Sequence, residues 1–143
     1  MLSNTCKYAI RAVVYLSLYS SESKKVGIKQ ISRELDIPTP FLGKILQVLA
    51  KHKVLISTKG PNGGFGLGRD AHDIPLMDIV EVVDGTAMFD TCLIRTTKCA
   101  DEAPCALHDK VSHIRKELKS MFVTQTIADL ASEFRQGHER IQI

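Results

Sequence analysis

The chain has 143 residues, 44% of them hydrophobic, which suits one compact domain or a small domain with an oligomerisation element and excludes a disordered chain. The net charge of +3 is unevenly divided along the chain. Residues 1–69 carry eleven Lys and Arg against three carboxylates, whereas residues 70–143 carry eight Lys and Arg against thirteen carboxylates. The first half therefore either binds a polyanion or has a solvated surface with an uneven distribution of charge. No run approaches the roughly 20 consecutive apolar residues that cross a bilayer, and residues 1–7 lack the pattern of a signal peptide. We therefore expect a cytoplasmic protein. In that compartment thiols stay reduced, so its four cysteines are expected to serve as metal ligands or redox sensors.

The first two predicted helices lie near the N-terminus. Apolar residues at helical spacing predict a helix over residues 5–19, on which Cys6 is expected to be a small buried hydrophobe rather than a metal ligand. A second apolar face predicts a short helix over residues 28–35. This helix should stop there, because Pro38 disfavours helical geometry in the residue before it.

A third helix carries the residues that we expect to contact DNA. Thr39 can cap its N-terminus, Pro40 suits its first turn, and the helix should end near residues 51–53. Its polar face can donate to phosphates or base edges, and Gly43 leaves room for close approach. Although a solvated helix face is the alternative, two helices joined by an interrupted turn are typical of a helix-turn-helix. The predicted contacts of these two helices are Lys29, Thr39, Pro40, Gly43, Lys44, Gln47 and Lys51.

A β-hairpin is predicted next, with strands over residues 54–57 and 65–67. Its tip combines a cation with glycines, which permit unusual backbone angles and leave no side chain between backbone and phosphate. A nucleotide-binding loop is the alternative, but the motifs that it requires are absent from the sequence. The predicted DNA contacts of this wing are Lys59, Gly60, Pro61, Asn62, Gly63 and Gly64. Three helices and a hairpin predict a winged helix, in a mainly α fold with one small β-hairpin.

The second half of the chain is predicted to dimerise. A helix that opens at Pro75 and closes at Gly85 would complete a DNA-binding domain over residues 1–85, leaving residues 86–143 for a cysteine loop and a dimerisation helix. That helix, of about 20 residues, carries an apolar seam with the spacing of a coiled coil. The predicted interface residues are Leu107, Val111, Ile114, Leu118 and Met121. Thr126 and Asp129 resemble a capping box for a short terminal helix.

The cysteine loop, residues 92–105, contains three candidate metal ligands, and a fourth follows it. The ligands are Cys92, Cys99, Cys105 and His108, spaced C-x6-C-x5-C-x2-H. Thiolates with an imidazole suit zinc or an iron-sulfur cluster, and the wide gaps favour a cluster over structural zinc. Zinc, unligated thiols and a disulfide switch stay open on this chemistry alone. No nucleophile and base can be assembled into a catalytic arrangement, so we do not expect an enzyme.

Four segments together resemble the Rrf-two superfamily of bacterial regulators, which includes IscR-like iron-sulfur sensors and NsrR-like nitric oxide sensors. They are YAIRA at residues 8–12, IPTPFLGKIL at 37–46, GPNGGF at 60–65 and the cysteine loop. The resemblance covers nearly the whole chain. It implies a homodimer whose long helix crosses to the partner. It also implies a regulator, a repressor or an activator, that binds a palindromic operator and controls genes for cluster assembly, nitrosative stress or redox balance; we expect a repressor.

The same resemblance implies a 2Fe-2S cluster on Cys92, Cys99, Cys105 and His108, with 4Fe-4S or zinc as alternatives. The chain departs from the IscR-like pattern in a first ligand gap of six residues instead of five. It has Lys7 where NsrR-like proteins place an acidic ligand, which favours His108 as the fourth ligand, and Gly43 where some IscR-like proteins have a glutamate. The alternative function is a cluster-free regulator, dependent on thiols or zinc, that acts through a protein partner.

Overall fold

The computed structural model describes residues 1–99 and 102–135 of the chain. A mainly helical fold with one antiparallel hairpin is observed, as predicted. Its elements are α1 (Asn4–Tyr19), α2 (Ile28–Leu35), α3 (Thr39–Lys51), β1 (Leu55–Thr58), β2 (Gly64–Leu67), a 3-10 turn (Ala71–Asp73), α4 (Leu76–Val83), α5 (Ala87–Asp90), α6 (His108–Thr124) and α7 (Ile127–Arg135). None of the helices in these residues has the length and apolar character needed to cross a membrane.

Helix α1 lies at the centre of the core. An isolated helix of its 16 residues is marginal in water, so packing against α3, α4, α7 and β2 stabilises it. Cys6 is fully buried on this helix, as predicted, in the same apolar core as Leu16. The helix begins after Ser3, whose Oγ accepts the Cys6 N–H at 3.0 Å while its own N–H donates to Asp84 Oδ2 at 2.8 Å. This contact fastens the start of α1 to the end of α4.

The turn between α2 and α3 is held by side chains. Asp36 adopts a left-handed conformation, with φ of 54°. The Ser32 hydroxyl donates to the Ile37 carbonyl at 2.6 Å, and the Thr39 hydroxyl donates to Ser32 Oγ at 3.0 Å. The prediction that Thr39 caps α3 is wrong, because the helix already begins at Thr39, its cap is Pro38, and the hydroxyl is engaged with α2.

Strands β1 and β2 pair in antiparallel register, with Leu55 opposite Leu67. The first strand begins one residue later than predicted. An isolated antiparallel bridge links β2 to the preceding loop, since Val26 and Phe65 exchange backbone hydrogen bonds of 2.9 and 2.8 Å. The sheet therefore connects the wing to the loop that precedes α2.

The elements after the wing differ from the sequence prediction in two places. Helix α4 is followed by Gly85, whose φ of 72° confirms the expected left-handed residue. The four-residue helix α5 was not predicted, and its Phe89 ring packs edge-on against Phe122 of α6 at 5.8 Å. Helix α6 has 17 residues rather than about 20, and Leu107 precedes it instead of lying within it.

Helix α7 returns the chain to α1, against which it packs. The predicted capping box is confirmed: Asp129 Oδ2 accepts the Thr126 N–H at 2.8 Å, and Thr126 Oγ1 accepts the Asp129 N–H at 3.2 Å. Residues 127–135 thus share the core of residues 1–85, although the sequence assigned them to the second unit. In that unit, residues 100–101 and 136–143 lie outside the described residues, and the proposed boundary at residue 85 stays a prediction.

Candidate functional site

One face of α3 is polar and open to solvent. Its exposed side chains are those of Pro40, Lys44, Gln47 and Lys51, which recur at helical spacing opposite the buried residues of the same helix. Lys29 is exposed on the neighbouring helix α2, and Thr39 is half-buried at the start of α3. No acidic side chain occurs on α3, so this surface has the charge that suits a polyanion.

Two exposed apolar side chains on the same helix were missed from the sequence. Phe41 and Val48 are 39% and 41% exposed. They flank the polar face, and the Phe41 ring meets Tyr8 edge-on at 5.8 Å. An apolar residue at a helix position that falls outside the buried stripe is the signal that would have found them.

Gly43 is close to another helix of the same chain. A Cβ atom at this position would lie 3.2 Å from Ile28 Cδ1. The glycine therefore makes room for α2, and its expected role in admitting DNA stays a prediction.

The tip of the hairpin depends on glycine for reasons within the protein. A Cβ atom on Gly63 would lie 2.2 Å from the Thr58 carbonyl oxygen, and Gly64 has a φ of 146°. Gly60, with φ of 105°, has open space beside it. The remaining predicted contacts of the wing, Lys59, Pro61 and Asn62, are exposed. The tip of the wing thus exposes the Lys59 cation and a stretch of backbone whose glycines carry no side chain.

The cysteine loop follows α5 in the sequence, and backbone hydrogen bonds hold it in place. The Cys92 N–H donates to the Thr97 carbonyl at 2.9 Å, and the Cys99 N–H donates to the Asp90 carbonyl at 2.6 Å. Arg95 ties the loop together, since its Nη1 donates to the Ala103 carbonyl at 3.2 Å. Cys92 is only 7% exposed.

The four predicted metal ligands form two pairs. Cys99 Sγ lies 3.2 Å from His108 Nδ1, and the Cys92 and Cys105 thiols share a hydrogen bond. Within residues 1–99 and 102–135, no group of three or more His, Cys, Asp or Glu side chains is placed to hold one metal ion. The donor types fit a thiophilic metal, whereas their positions bring together two donors at a time.

The surroundings of the thiols differ in ways that matter for ligation. Backbone N–H groups, first of Arg95 and then of Ile94, bond to the Cys92 sulfur and lower its pKa, with smaller contributions from Cys105 and the Arg95 charge. Burial, followed by the nearby Asp84 carboxylate, raises the pKa of Cys6 to about 12. Because the thiolate is the form that binds metal, Cys92 is suited to ligation and Cys6 is not.

The predicted dimer seam on α6 is partly exposed. Leu107, Ile114 and Met121 are 38%, 63% and 44% exposed, while Val111 and Leu118 are half-buried. Leu118 packs against the core of its own chain. The seam residues free to meet a partner are therefore the three exposed ones. Val123 is also exposed, but it lies on the opposite side of α6 from Ile114.

Comparisons with known proteins agree with this architecture. Residues 2–133 match the Rrf2 family, described as iron-dependent transcriptional regulators. An HTH-type transcriptional regulator of Aquifex aeolicus (strain VF5) is 34% identical over 132 residues, which cover 91% of this chain and 90% of that protein. CymR (YrzC), the global cysteine regulator of B. subtilis, has a similar structure with a TM-score of 0.78 at 21% identity, covering 92% of this chain and 96% of that one. T. potens IscR has a TM-score of 0.75 at 22% identity, covering 98% and 92%.

Proposed function

The chain belongs to the Rrf2 family of transcriptional regulators, and we propose that it is a homodimeric repressor whose operator affinity depends on a 2Fe-2S cluster. Its relatives in Aquifex aeolicus and Sodalis glossinidius are named as HTH-type transcriptional regulators. The observation that carries the proposal is that Cys99 Sγ of the cysteine loop lies 3.2 Å from Nδ1 of His108, the first residue of α6.

Residues 1–85 are proposed to bind the operator. The polar face of α3 would enter the major groove, where Gln47 can pair with adenine and Lys44 can neutralise phosphate or donate to guanine. The wing would follow the phosphate backbone with Lys59 and its glycine backbone. The exposure of these side chains supports this assignment.

Residues 86–143 are proposed to hold the cluster and the partner subunit. Cys92, Cys99, Cys105 and His108 are the proposed ligands, and the hydrogen bonds to the Cys92 sulfur favour the thiolate that ligation requires. When bound, the cluster would supply a group sensitive to iron supply, redox state and nitric oxide. The exposed residues Leu107, Ile114 and Met121 would form the contact with a second copy of the chain.

A second candidate is a cluster-free regulator that senses through its thiols, or through zinc, and acts with a protein partner. The pairwise arrangement of the donors favours it, because no third donor among the described residues is placed with the Cys99–His108 pair. The likeness in fold to CymR, named as a cysteine regulator, is consistent with such a mode.

Analysis of iron, sulfide and zinc in protein purified without oxygen separates the two candidates. We expect a brown wild-type protein with iron and sulfide in equal amounts, and loss of both in the Ala variants of Cys92, Cys99 and Cys105. Cys6→Ala is the matched control and should keep the cluster. A colourless wild-type protein, with zinc or no metal, would favour the second candidate, and a Cys99→Ala protein with full iron and sulfide would refute the ligand set.

A further inference from the structure

A cavity of about 260 Å³ lies between α5, the end of the cysteine loop and α6. Three cationic side chains of α6, Arg115, Lys116 and Lys119, line it. We propose that this cavity, called here the α6 cavity, binds a small anion that carries carboxylate or phosphate groups. Neither the predicted cluster nor the predicted DNA contacts use these three residues.

The charge of the α6 cavity points to an anion. Among the described residues that line it, Asp90 is the one carboxylate, against the three cations. In the described part of the chain, none of the three cations takes part in an ion pair. Arg115 and Lys119 are four residues apart on one helix, a spacing at which like charges repel and destabilise the helix. A bound anion would offset this repulsion.

The position of the cavity on α6 leaves it free in a dimer. Ser112, Arg115, Lys116 and Lys119 lie on one side of the helix, and Ser112 adds a hydroxyl that can donate to an anion. The exposed seam residue Ile114 is directed to a different side. A second copy docked on the seam would therefore leave the cavity open.

The size of the cavity limits the ligand. Cavities for drug-sized ligands have volumes of roughly 300–1,000 Å³, and this one is slightly smaller. A compact anion such as a dicarboxylate or a phosphate compound fits these dimensions better than a dinucleotide does. Arginine forms paired hydrogen bonds with both carboxylate and phosphate, so the cavity chemistry suits either class.

An anion in the cavity would contact residues at the end of the cysteine loop and the start of α6. Cys99 and His108 line the same cavity, so an anion held there touches the pair that we assign to the cluster. This coupling rests on the proposed function. The binding of the anion does not, because the three cations belong to α6 and not to the ligand set.

Isothermal titration of the metal-free chain, residues 1–143, tests the site, with inorganic phosphate and succinate as separate probes at constant ionic strength. We expect one probe to bind at one site per chain, and Lys119→Ala to weaken it about tenfold or more, the scale of one lost charge-assisted hydrogen bond. Lys110→Ala is the matched control, since Lys110 is exposed on α6 but does not line the cavity. It should leave the affinity within about twofold.

Three results would overturn the proposal: no binding of either probe at millimolar concentration, equal weakening by Lys110→Ala and Lys119→Ala, or no weakening by Lys119→Ala. Circular dichroism of each variant establishes that it is folded, and Arg115→Lys provides a second variant that keeps the charge but loses the paired hydrogen bonds. Iron and sulfide are measured on separate, anaerobically purified protein. Failure of the cluster assignment would appear there, without affecting the anion titration.

Discussion

Cys6 and Cys92 are both buried thiols, yet their immediate surroundings give them opposite chemistry. Burial raises the pKa of Cys6 to about 12, so this side chain stays a protonated, inert part of the core. The backbone N–H groups of Arg95 and Ile94 lower the pKa of Cys92, which increases the fraction of thiolate at neutral pH. Local hydrogen bonds, rather than burial alone, therefore distinguish a candidate ligand from a structural cysteine.

Lys44 is proposed to contact a phosphate of the operator. Lys44→Ala should weaken operator binding and lower the slope of log affinity against log salt by about 0.9, because one phosphate contact and its released counterion are lost. Fluorescence anisotropy at several salt concentrations measures this slope. Lys110→Ala, which removes a cation from α6, is the control, and a Lys44→Ala slope equal to that of the wild type would place Lys44 away from the phosphates.

Residue roles could be predicted from the sequence where periodicity alone decides them. The buried residues of α3 and the exposed Lys44 follow from a helical repeat, and the fold confirms both. The roles of Thr39 and Gly43 could not be predicted in the same way. Their contacts, with Ser32 and Ile28, come from another helix, whose distance from α3 no local pattern encodes.

At the scale of elements, the wing depends on two close backbone approaches. The backbone of Gly63 lies against Thr58, and that of Gly64 against Val26, whose carbonyl oxygen would be 2.5 Å from an added Cβ atom. The hairpin was predictable because its turn residues are concentrated in one segment. Helix α5 was not, because four residues make a single turn and show no periodicity.

Gly63→Ala tests this account of the wing. The added methyl group cannot be accommodated beside the Thr58 carbonyl, so we expect a local cost of about 1–3 kcal/mol, a displaced hairpin tip and weaker operator binding. Thermal unfolding and operator titration measure the two effects. Gly27→Ala is the matched glycine control, since its Cβ atom would meet nothing within 4 Å. Full operator affinity in Gly63→Ala would show that the tip does not contact DNA.

At the scale of the whole molecule, α7 links the second half of the chain to the first. The Ile127 N–H donates to the Ile74 carbonyl at 2.9 Å, and the Leu76 N–H donates to the Gln125 carbonyl at 2.9 Å. Helix α6 lies between the cysteine loop and this junction. A change in the position of α6 can therefore reach the DNA-binding half through packed elements.

Dimerisation through α6 predicts a specific response to a charge in the seam. Ile114→Asp should place an unpaired carboxylate in an apolar interface, at a cost of several kcal/mol, and dissociate the dimer. Ile114 is suited to this test because it is 63% exposed, so the monomer should stay folded. Ser120→Asp adds the same charge at an exposed position away from the seam and should stay dimeric. Sedimentation that shows Ile114→Asp still dimeric at micromolar concentration would locate the interface elsewhere.

We propose that the state of the cluster ligands sets operator affinity. Two recognition helices must match half-sites about 34 Å apart, so a small shift at the α6 interface is enough to change binding. Such coupling between two sites is typically worth about 1–3 kcal/mol, a change of roughly 5- to 150-fold.

The most direct measurement is a titration of one operator, found by selection from random DNA, with cluster-loaded, cluster-free and Cys92→Ala protein at fixed salt. We predict that the loaded protein differs from the cluster-free protein by a factor in that range, and that Cys92→Ala binds as the cluster-free protein does. Equal affinities for all three forms would contradict the claim and leave the cysteine loop with a purely structural role.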